Sequence, residues 1–370
     1  MPDDAEELAK SDGDAIVRPN EVWFRKSFLA RQMVLPPGGA LHFDRVGERA
    51  GSVGFANIKR DAEQDSHWSP SVRCTGTVCC SVPRRCSSFY GSLWSGRMPA
   101  EAELEHLQIE PGGSPDPVFC NGHVPAFLTE ALAPIEAELE QAVSRVVGLT
   151  RWRCNRTGPV GLPALSTLEW SMDGIAWKLD VRRPTMGRTV FGPDLVVSDA
   201  RRADIESLIA RGDHEPIHQS LLREAESLLE SNPRSALVVS ATAAELAIKA
   251  LVSTHAAQTS WLIQNLPSPP IAKIVEEYLP RILPAGSPKF ASELIRGLKA
   301  AVTLRNELVH GARTNIEANR FTAAFKSFQD VVWLCDYLSG MPWALNRVSR
   351  ATLTAMNLAP TVDNSGWFVD

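Results

Sequence analysis

The chain has no excess of basic residues. Its 370 residues contain 38 Lys and Arg against 43 Asp and Glu, which gives a net charge of −5. Proteins that hold nucleic acid over a broad surface usually carry a strong positive field, and this composition excludes such a field. Any contact with RNA must therefore depend on a local group of basic side chains.

The sequence also lacks the usual features of membrane and secreted proteins. It contains no run of eighteen apolar residues, so no transmembrane helix is predicted. The first seven residues are largely acidic, the reverse of a signal peptide. The seven cysteines form an odd set without a paired framework. This predicts a reducing, cytoplasmic environment and no membrane association.

Several motifs of known enzyme chemistry are missing. There is no Gly-rich phosphate loop, no Gly-x-Ser-x-Gly elbow, no pair of metal-binding carboxylates and no repeat of 20–50 residues. Cysteines between 74 and 120, together with His67, could bind zinc. However, the spacing Cys74-x4-Cys79-Cys80-x5-Cys86 lacks the usual two-residue knuckle. We therefore favour free thiols, and we predict neither a metal nor a cofactor.

The residues that are present predict an α+β protein with two domains. Apolar residues make up 44% and charged residues 22% of the chain, as in globular proteins with a core. Residues 1–20 are polar and are predicted to fray. Residues 21–198 are predicted to form a mixed domain with a small antiparallel sheet and at least one helix. Within it, residues 60–122 show no persistent period and are predicted to be irregular, apart from a short helix at 100–107.

Two elements of the N-terminal domain have clear patterns. Apolar residues at helical spacing between 125 and 147 predict an amphipathic helix. Residues 168–179 predict a β-hairpin, because two strand-like runs flank an Asp-Gly pair. Trp170 and Trp177 are expected on one face of this sheet. Their indoles fit a core role better than a platform for stacked bases.

From residue 200 to 339 the pattern is helical throughout, which predicts an all-α bundle. Asn232 is expected to cap a helix that starts at Pro233 and is apolar nearly all round, as in the central helix of a bundle. Between residues 201 and 338, Lys and Arg equal Asp and Glu in number, so the bundle is neutral. Residues 340–370 are predicted to form a tail with one short helix.

One helix of this bundle ends in a polar group. Apolar residues recur at helical spacing from 290 to 309, and the stripe is interrupted by Arg305, which needs a partner, a cleft or an interface. Asn306 and His310 are four residues apart and share a face. Gly311 suits the position after a helix C-terminus. His310 is therefore expected in the last turn, where the helix end favours a protonated imidazole.

The sequence Arg305-Asn306-x3-His310 resembles the Arg-x4-6-His motif of HEPN domains. The Ala-rich helix that carries Glu245 and Lys249 resembles an earlier helix of the same bundle. The resemblance covers roughly residues 205–338. It implies a HEPN-like bundle that forms a homodimer with two motifs facing one cleft. It further implies a metal-independent ribonuclease of a toxin, defence or RNA-processing system, with RNA as its substrate and an antitoxin or defence protein as a partner.

These residue types suit RNA cleavage through the 2′-hydroxyl. The reaction needs a base, an acid and positive charge beside the phosphate. A histidine can serve as base or acid, and an arginine grips phosphate with a planar fork. Arg305, Asn306 and His310 are thus the predicted catalytic residues, with Glu245 and Lys249 supporting the cleft. Since one chain supplies one motif histidine, acid and base come most easily from two copies.

Structural interpretations of the same residues remain open. Arg305 can pair with Glu245 or Glu307, and His310 can be an ordinary residue at a helix end. Glu245 and Lys249 can be a simple i, i+4 ion pair. The second hypothesis is therefore a non-catalytic HEPN-like bundle that binds a partner or a ligand. A third places the function in a sensor formed by the N-terminal half.

Overall fold

The structure is a computed structural model in which the chain forms two compact units. The first unit comprises residues 1–31, 37–144 and 162–189, and the second comprises 32–36, 145–161 and 190–370. A sheet and a mainly helical region together confirm the predicted α+β class. The described residues are 20–33, 40–47, 49, 51–57, 71–97, 99, 107–108, 118–119, 125–155, 167–180, 189–195, 197–259, 270–311 and 317–360. Predictions for residues 1–19 and 361–370 lie outside them.

The structure contains nine strands within the described residues. They are β1 Glu21–Met33, β2 Leu41–Val46, β3 Gly51–Asn57, β4 Ser71–Ser81, β5 Leu107–Gln108, β6 Val118–Phe119, β7 Thr167–Ser171, β8 Lys178–Leu179 and β9 Thr189–Leu195. The larger sheet has the order β2-β3-β4-β1-β7-β8, and β9 also pairs with β1. It is antiparallel at every pairing whose register is described. A separate two-stranded sheet contains β5 and β6.

The prediction that residues 60–122 are irregular is wrong for much of their described part. Residues 71–81 form β4, and Arg84–Trp94 form helix α1. Side chains of β4 alternate between buried and more exposed positions, with Cys74, Gly76 and Cys80 among the buried ones. Because cysteine and glycine hold inward positions that Val or Ile usually fill, the two-residue period is not visible in the hydrophobic pattern. Leu107, expected in a helix, lies in β5.

The predicted hairpin forms, but its second strand starts later than expected. Strand β7 pairs antiparallel with β8, which begins at Lys178 rather than at Ile175. The delay has a local cause, because the Asp173 carboxylate accepts hydrogen bonds from the backbone N–H groups of Ile175 and Ala176 at 2.8 and 2.9 Å. These bonds satisfy the backbone donors within the turn and compete with strand pairing.

The two hairpin tryptophans do not share a face of the sheet. Trp170 is buried, with its ring centroid 4.6 Å from that of Tyr90. Trp177 instead lies against the Arg25 guanidinium, 4.3 Å from the ring centroid, and Arg25 pairs with Glu169. Neighbouring residues of a strand point to opposite faces, so Glu169 and Trp170 are on different sides. The expectation of one shared face is therefore wrong.

The core of the first unit lies between the sheet and two helices. Helix α2 spans Ala126–Cys154, and its residues up to 144 belong to this unit. The apolar face predicted for this helix is buried, and the helix continues beyond the predicted end at 147. The buried cluster contains Val22, Phe24, Val78, Cys80, Val82, Cys86, Phe89, Tyr90, Leu93, Leu128, Leu132, Ile135, Leu139, Leu168 and Trp170.

Gly76 allows α2 to approach β4 closely. A Cβ atom at this position would lie 2.8 Å from Val143 Cγ2 and 3.5 Å from Leu139 Cδ2, and both side chains are buried. Gly76→Ala is therefore expected to lower the free energy of unfolding by about 1–3 kcal/mol, because the added methyl group overpacks the core. Urea denaturation measures the change. Gly54→Ala is the control, since its Cβ would meet only ordinary contacts, and equal losses in both variants would contradict the prediction.

The second unit is a helical bundle. Its helices are α3 Asp199–Ala210, α4 Ile217–Leu228, α5 Pro233–His255, α6 Ile271–Lys273, Ile274–Tyr278 and Leu279–Ile282, α7 Ser292–Val309, α8 Ala318–Leu338 and α9 Arg350–Ala355. Helix α6 consists of three consecutive pieces, with a π-helical turn in the middle. Helix α5 lies at the centre, where it packs against α4 and α8, and α7 packs against α8 and α5.

Helix α5 starts as predicted and forms the centre of the bundle. The Asn232 side chain accepts a hydrogen bond from the Ser235 backbone N–H at 3.2 Å, and Pro233 occupies the first turn. By length and composition alone, α5 could cross a membrane, but half of its most apolar window is buried inside the structure. Core helices of soluble proteins have the same properties, so the absence of membrane association remains a prediction.

The chain after residue 339 belongs to the second unit as far as it is described. It contains a 3-10 helix, Pro342–Arg347, and then α9. Asp330 of α8 is buried and accepts hydrogen bonds from the Ser349 backbone N–H at 2.8 Å and from the Thr352 hydroxyl at 2.6 Å. Residues 340–360 therefore add two short helical pieces to the bundle, where one was predicted.

Candidate functional site

The motif formed by Arg305, Asn306 and His310 lies at the C-terminal end of α7. The His310 backbone N–H donates to the Asn306 carbonyl at 3.0 Å. Gly311 follows with φ of +71°, in the left-handed region that favours glycine. The chain thus leaves the helix directly after the motif, as the sequence predicts, and the motif borders a helix end rather than the middle of a packed surface.

The three side chains of the motif differ in exposure. Asn306 and His310 are exposed, whereas Arg305 is half-buried. Arg305 Nη1 donates to Asn306 Oδ1 at 3.0 Å. Arg305 Nε is buried, with no hydrogen-bond partner among the described residues. The amide of Asn306 therefore helps to hold the guanidinium in place, while the imidazole of His310 is open to solvent.

A groove lies beside the motif, between the start of α5 and the end of α7. Its volume is about 260 Å³. Val309 in its wall is 50% exposed. Arg305 is one helical turn before Leu308 and Val309, so it lies on the same side of α7 as these residues. The groove is lined by Arg234, Ser235, Val238, Val239, Leu308 and Val309.

Glu245 and Lys249 occupy a different part of α5. Lys249 Nζ lies 2.9 Å from Glu245 Oε1, in an i, i+4 ion pair with both side chains partly exposed. Glu245 is six residues after Val239, which places it about 9 Å further along the helix axis than the groove. Neither residue lines the groove. Their geometry is that of the simple ion pair considered above, and it gives no direct support for a role at the motif.

A buried polar network around Asp336 is not apparent in the sequence. Asp336 of α8 accepts hydrogen bonds from Trp152 Nε1 at 2.8 Å and from Gln219 Nε2 at 2.7 Å. His218 Nε2 lies 2.7 Å from the other carboxylate oxygen. All these polar side chains are buried. Their burial indicates a structural role, and the only sequence signal is an aspartate within an apolar helical run.

A second buried cluster contains two arginines. Arg223 of α4 forms an ion pair with Glu215. Burial, together with the positive charge of Arg151, lowers the pKa of Arg223 to about 10. Burial also raises the pKa of Glu226, although Gln329 donates a hydrogen bond to it at 2.8 Å. Charges held inside a bundle in this way cost desolvation energy, which the ion pair between Arg223 and Glu215 offsets in part.

The cysteine region offers no metal site within the described ranges. No group of three or more His, Cys, Asp and Glu side chains in these ranges could hold a metal ion. Cys74, Cys79, Cys80 and Cys86 form no disulfide bonds. His67 and Cys120, the other members of the zinc hypothesis, lie outside the described residues. Burial raises the pKa of Cys80 to about 11, so this thiol stays protonated and unreactive at neutral pH.

No protein-family model, curated protein or solved structure matches this chain. The choice of a function therefore depends on the chemistry of the motif and on the groove beside it.

Proposed function

We propose that the second unit is a HEPN-like, metal-independent endoribonuclease of the toxin or defence type. The observation that carries the proposal is that Arg305, Asn306 and His310 lie together at a helix end. None of the three lines the groove itself, but their sequence neighbours Leu308 and Val309 do. A guanidinium, an amide and an imidazole are the groups that phosphodiester cleavage needs. The proposal includes a cytoplasmic location, in keeping with the odd cysteine count, and an antitoxin or defence protein as a partner.

The proposed reaction is a transesterification within the RNA. An imidazole removes the proton of a ribose 2′-hydroxyl, and the 2′-oxygen attacks the adjacent phosphorus. The bond from phosphorus to the 5′-oxygen breaks, and a protonated imidazole donates a proton to that departing oxygen. The products are a 2′,3′-cyclic phosphate and a 5′-hydroxyl. Arg305 stabilises the negative charge on the phosphoryl oxygens, and Asn306 keeps its guanidinium in place.

A homodimer is part of the proposal because one chain supplies only one motif histidine. The acid and the base of the reaction are then the His310 side chains of two copies. An apolar surface supports this arrangement, since Leu308 lines the groove and Val309 is 50% exposed directly before His310. Pairing of two copies on this side of α7 would cover Val309.

The alternative function is a non-catalytic bundle that binds a partner or a ligand. A specific observation favours it, because Arg305 donates to its own neighbour Asn306. In addition, Glu245 and Lys249 pair with each other along α5 rather than supporting the groove. In this alternative, the motif shapes the helix end and the groove receives an apolar segment of another protein.

The test of the proposal is cleavage of RNA by the purified full-length protein. We expect the wild type to cut single-stranded RNA in the presence of EDTA and to leave 2′,3′-cyclic phosphate ends. RNA with 2′-O-methyl groups should resist, because it lacks the attacking hydroxyl. Product ends are identified by mass spectrometry. Intact RNA after long incubation, or products with 5′-phosphates, would contradict the proposal and favour the binding function.

A further inference from the structure

A second candidate site is a cleft in the first unit, between the later half of α1 and the turn after β7. Its volume is about 640 Å³, which is in the range of small-molecule sites. Residues with different chemistry line it: a carboxylate from Asp173, a guanidinium from Arg97, an indole from Trp94 and hydroxyls from Ser88 and Ser92. This N-terminal cleft plays no part in the proposed cleavage of RNA.

The carboxylate of Asp173 is fixed before any ligand binds. Its Oδ1 accepts hydrogen bonds from the backbone N–H groups of Ile175 and Ala176, and from the Ser171 hydroxyl at 2.8 Å. Partial burial alone would raise the pKa of Asp173, but these hydrogen bonds outweigh that effect and lower it. The carboxylate is therefore ionised at neutral pH and can only accept hydrogen bonds.

Gly91 leaves room in the cleft that the protein itself does not use. It lies inside α1, where glycine weakens a helix relative to alanine. Apart from its two chain neighbours and the nearby backbone of its own helix, no atom of the described residues lies within 4 Å of the position that its Cβ would occupy. Close packing within this part of the chain thus does not explain the glycine. Gly91 lines the cleft beside Trp94, so the missing side chain leaves this part of the cleft open next to the indole.

We propose that the N-terminal cleft binds the guanine base and the phosphate of a guanine nucleotide. The Watson–Crick edge of guanine presents two adjacent donors, N1–H and the N2 amino group. The hydrogen bonds within the turn all end on Asp173 Oδ1, so both guanine donors are assigned to Oδ2. Adenine presents an acceptor and a donor there, so Asp173 discriminates against it. Trp94 provides a face for stacking the base. Arg97 provides the cation for the phosphate.

Calorimetric titration of the full chain with GMP and AMP tests the role of Asp173. We expect GMP to bind about tenfold more tightly than AMP or better. Asp173→Asn should abolish this preference and weaken GMP binding by a similar factor. The asparagine oxygen can still accept the turn's backbone hydrogen bonds, so the variant should fold. Equal binding of both nucleotides to the wild type, or no saturable binding of GMP, would overturn the proposal.

Two further variants test the phosphate contact and the space at Gly91. Arg97→Gln should weaken the binding of GMP but leave the binding of guanosine unchanged. Arg84→Gln, at the other end of α1, should alter the binding of neither ligand. Gly91→Leu should block both ligands and retain the thermal unfolding temperature of the wild type. Unchanged GMP binding in Arg97→Gln and Gly91→Leu would place the nucleotide elsewhere and refute this cleft.

The guanine can be part of a free nucleotide or of single-stranded RNA. Competition between labelled GMP and a short, 2′-O-methylated, G-containing RNA separates these two sources. If this RNA displaces GMP and a G-free RNA of equal length does not, the ligand of the cleft is a guanine within RNA. If neither RNA displaces GMP, the ligand of the cleft is the free nucleotide. Because no cleavage is measured, the result is independent of the proposed ribonuclease function.

Discussion

Replacing Asp336 with Ala is expected to lower the free energy of unfolding by about 3–5 kcal/mol, because it leaves a buried polar network without its acceptor. Trp152, His218 and Gln219 all lie within hydrogen-bond distance of this carboxylate, at 2.7–2.8 Å. A buried donor without a partner costs about 1–3 kcal/mol. The cavity left by the carboxylate adds to the loss. Urea denaturation followed by tryptophan fluorescence measures the change.

An exposed carboxylate in the same unit provides the control for Asp336. Glu206 pairs with Arg202 across one turn of α3, with both side chains well exposed. Glu206→Ala should therefore change the free energy of unfolding by less than about 1 kcal/mol. Asp336→Asn should lose less unfolding free energy than Asp336→Ala, because its amide oxygen can still accept a hydrogen bond. If Asp336→Ala and Glu206→Ala are equally stable, the buried network contributes little to the stability of the fold.

The sequence predicts elements best where the apolar pattern agrees with burial. The recurrence of apolar residues at helical spacing over 125–147 predicts the helix that starts at Ala126, and the structure buries this apolar face. Helix α5 was predicted because a capping residue and a first-turn proline mark its start. In both cases local backbone preference and tertiary packing favour the same structure, so the local pattern is sufficient.

Elements were missed where tertiary contacts outweigh the local pattern. Strand β4 has cysteine and glycine at inward positions, and the close approach of α2 requires that glycine. The pattern of hydrophobic residues along the sequence does not reveal such a close approach of two elements. The late start of β8 follows from the side-chain hydrogen bonds of Asp173. These bonds depend on the conformation of one turn. The alternation of apolar and polar residues along a strand does not predict that conformation.

The candidate site was predicted in part. The end of α7 at Val309 and the left-handed Gly311 agree with expectation from local signals alone. The groove could not be predicted, because it forms where α5 and α7 meet, and the sequence does not say which residues face each other. The Asp336 network was missed for the same reason, since its members come from three separate helices.

His310→Ala is expected to reduce the rate of RNA cleavage by about 10²–10⁴-fold, the usual contribution of a general acid or base. The variant should fold normally, because His310 is exposed and ends its helix. Cleavage of a fluorescent single-stranded RNA measures the rate. His214→Ala is the matched control, as His214 is also an exposed histidine of the second unit. Equal activity of the wild type, His310→Ala and His214→Ala would show that His310 is not a catalytic residue.

A mixture of wild type and His310→Ala tests whether the site is shared between two chains. If acid and base come from two copies, a heterodimer has only one motif histidine and is inactive. An excess of His310→Ala, added under conditions that allow subunit exchange, should then reduce the activity per wild-type chain well below its value alone. An excess of His214→Ala should not reduce it. If His310→Ala leaves the activity per wild-type chain unchanged, each chain cleaves RNA alone, and the homodimer is not required for catalysis.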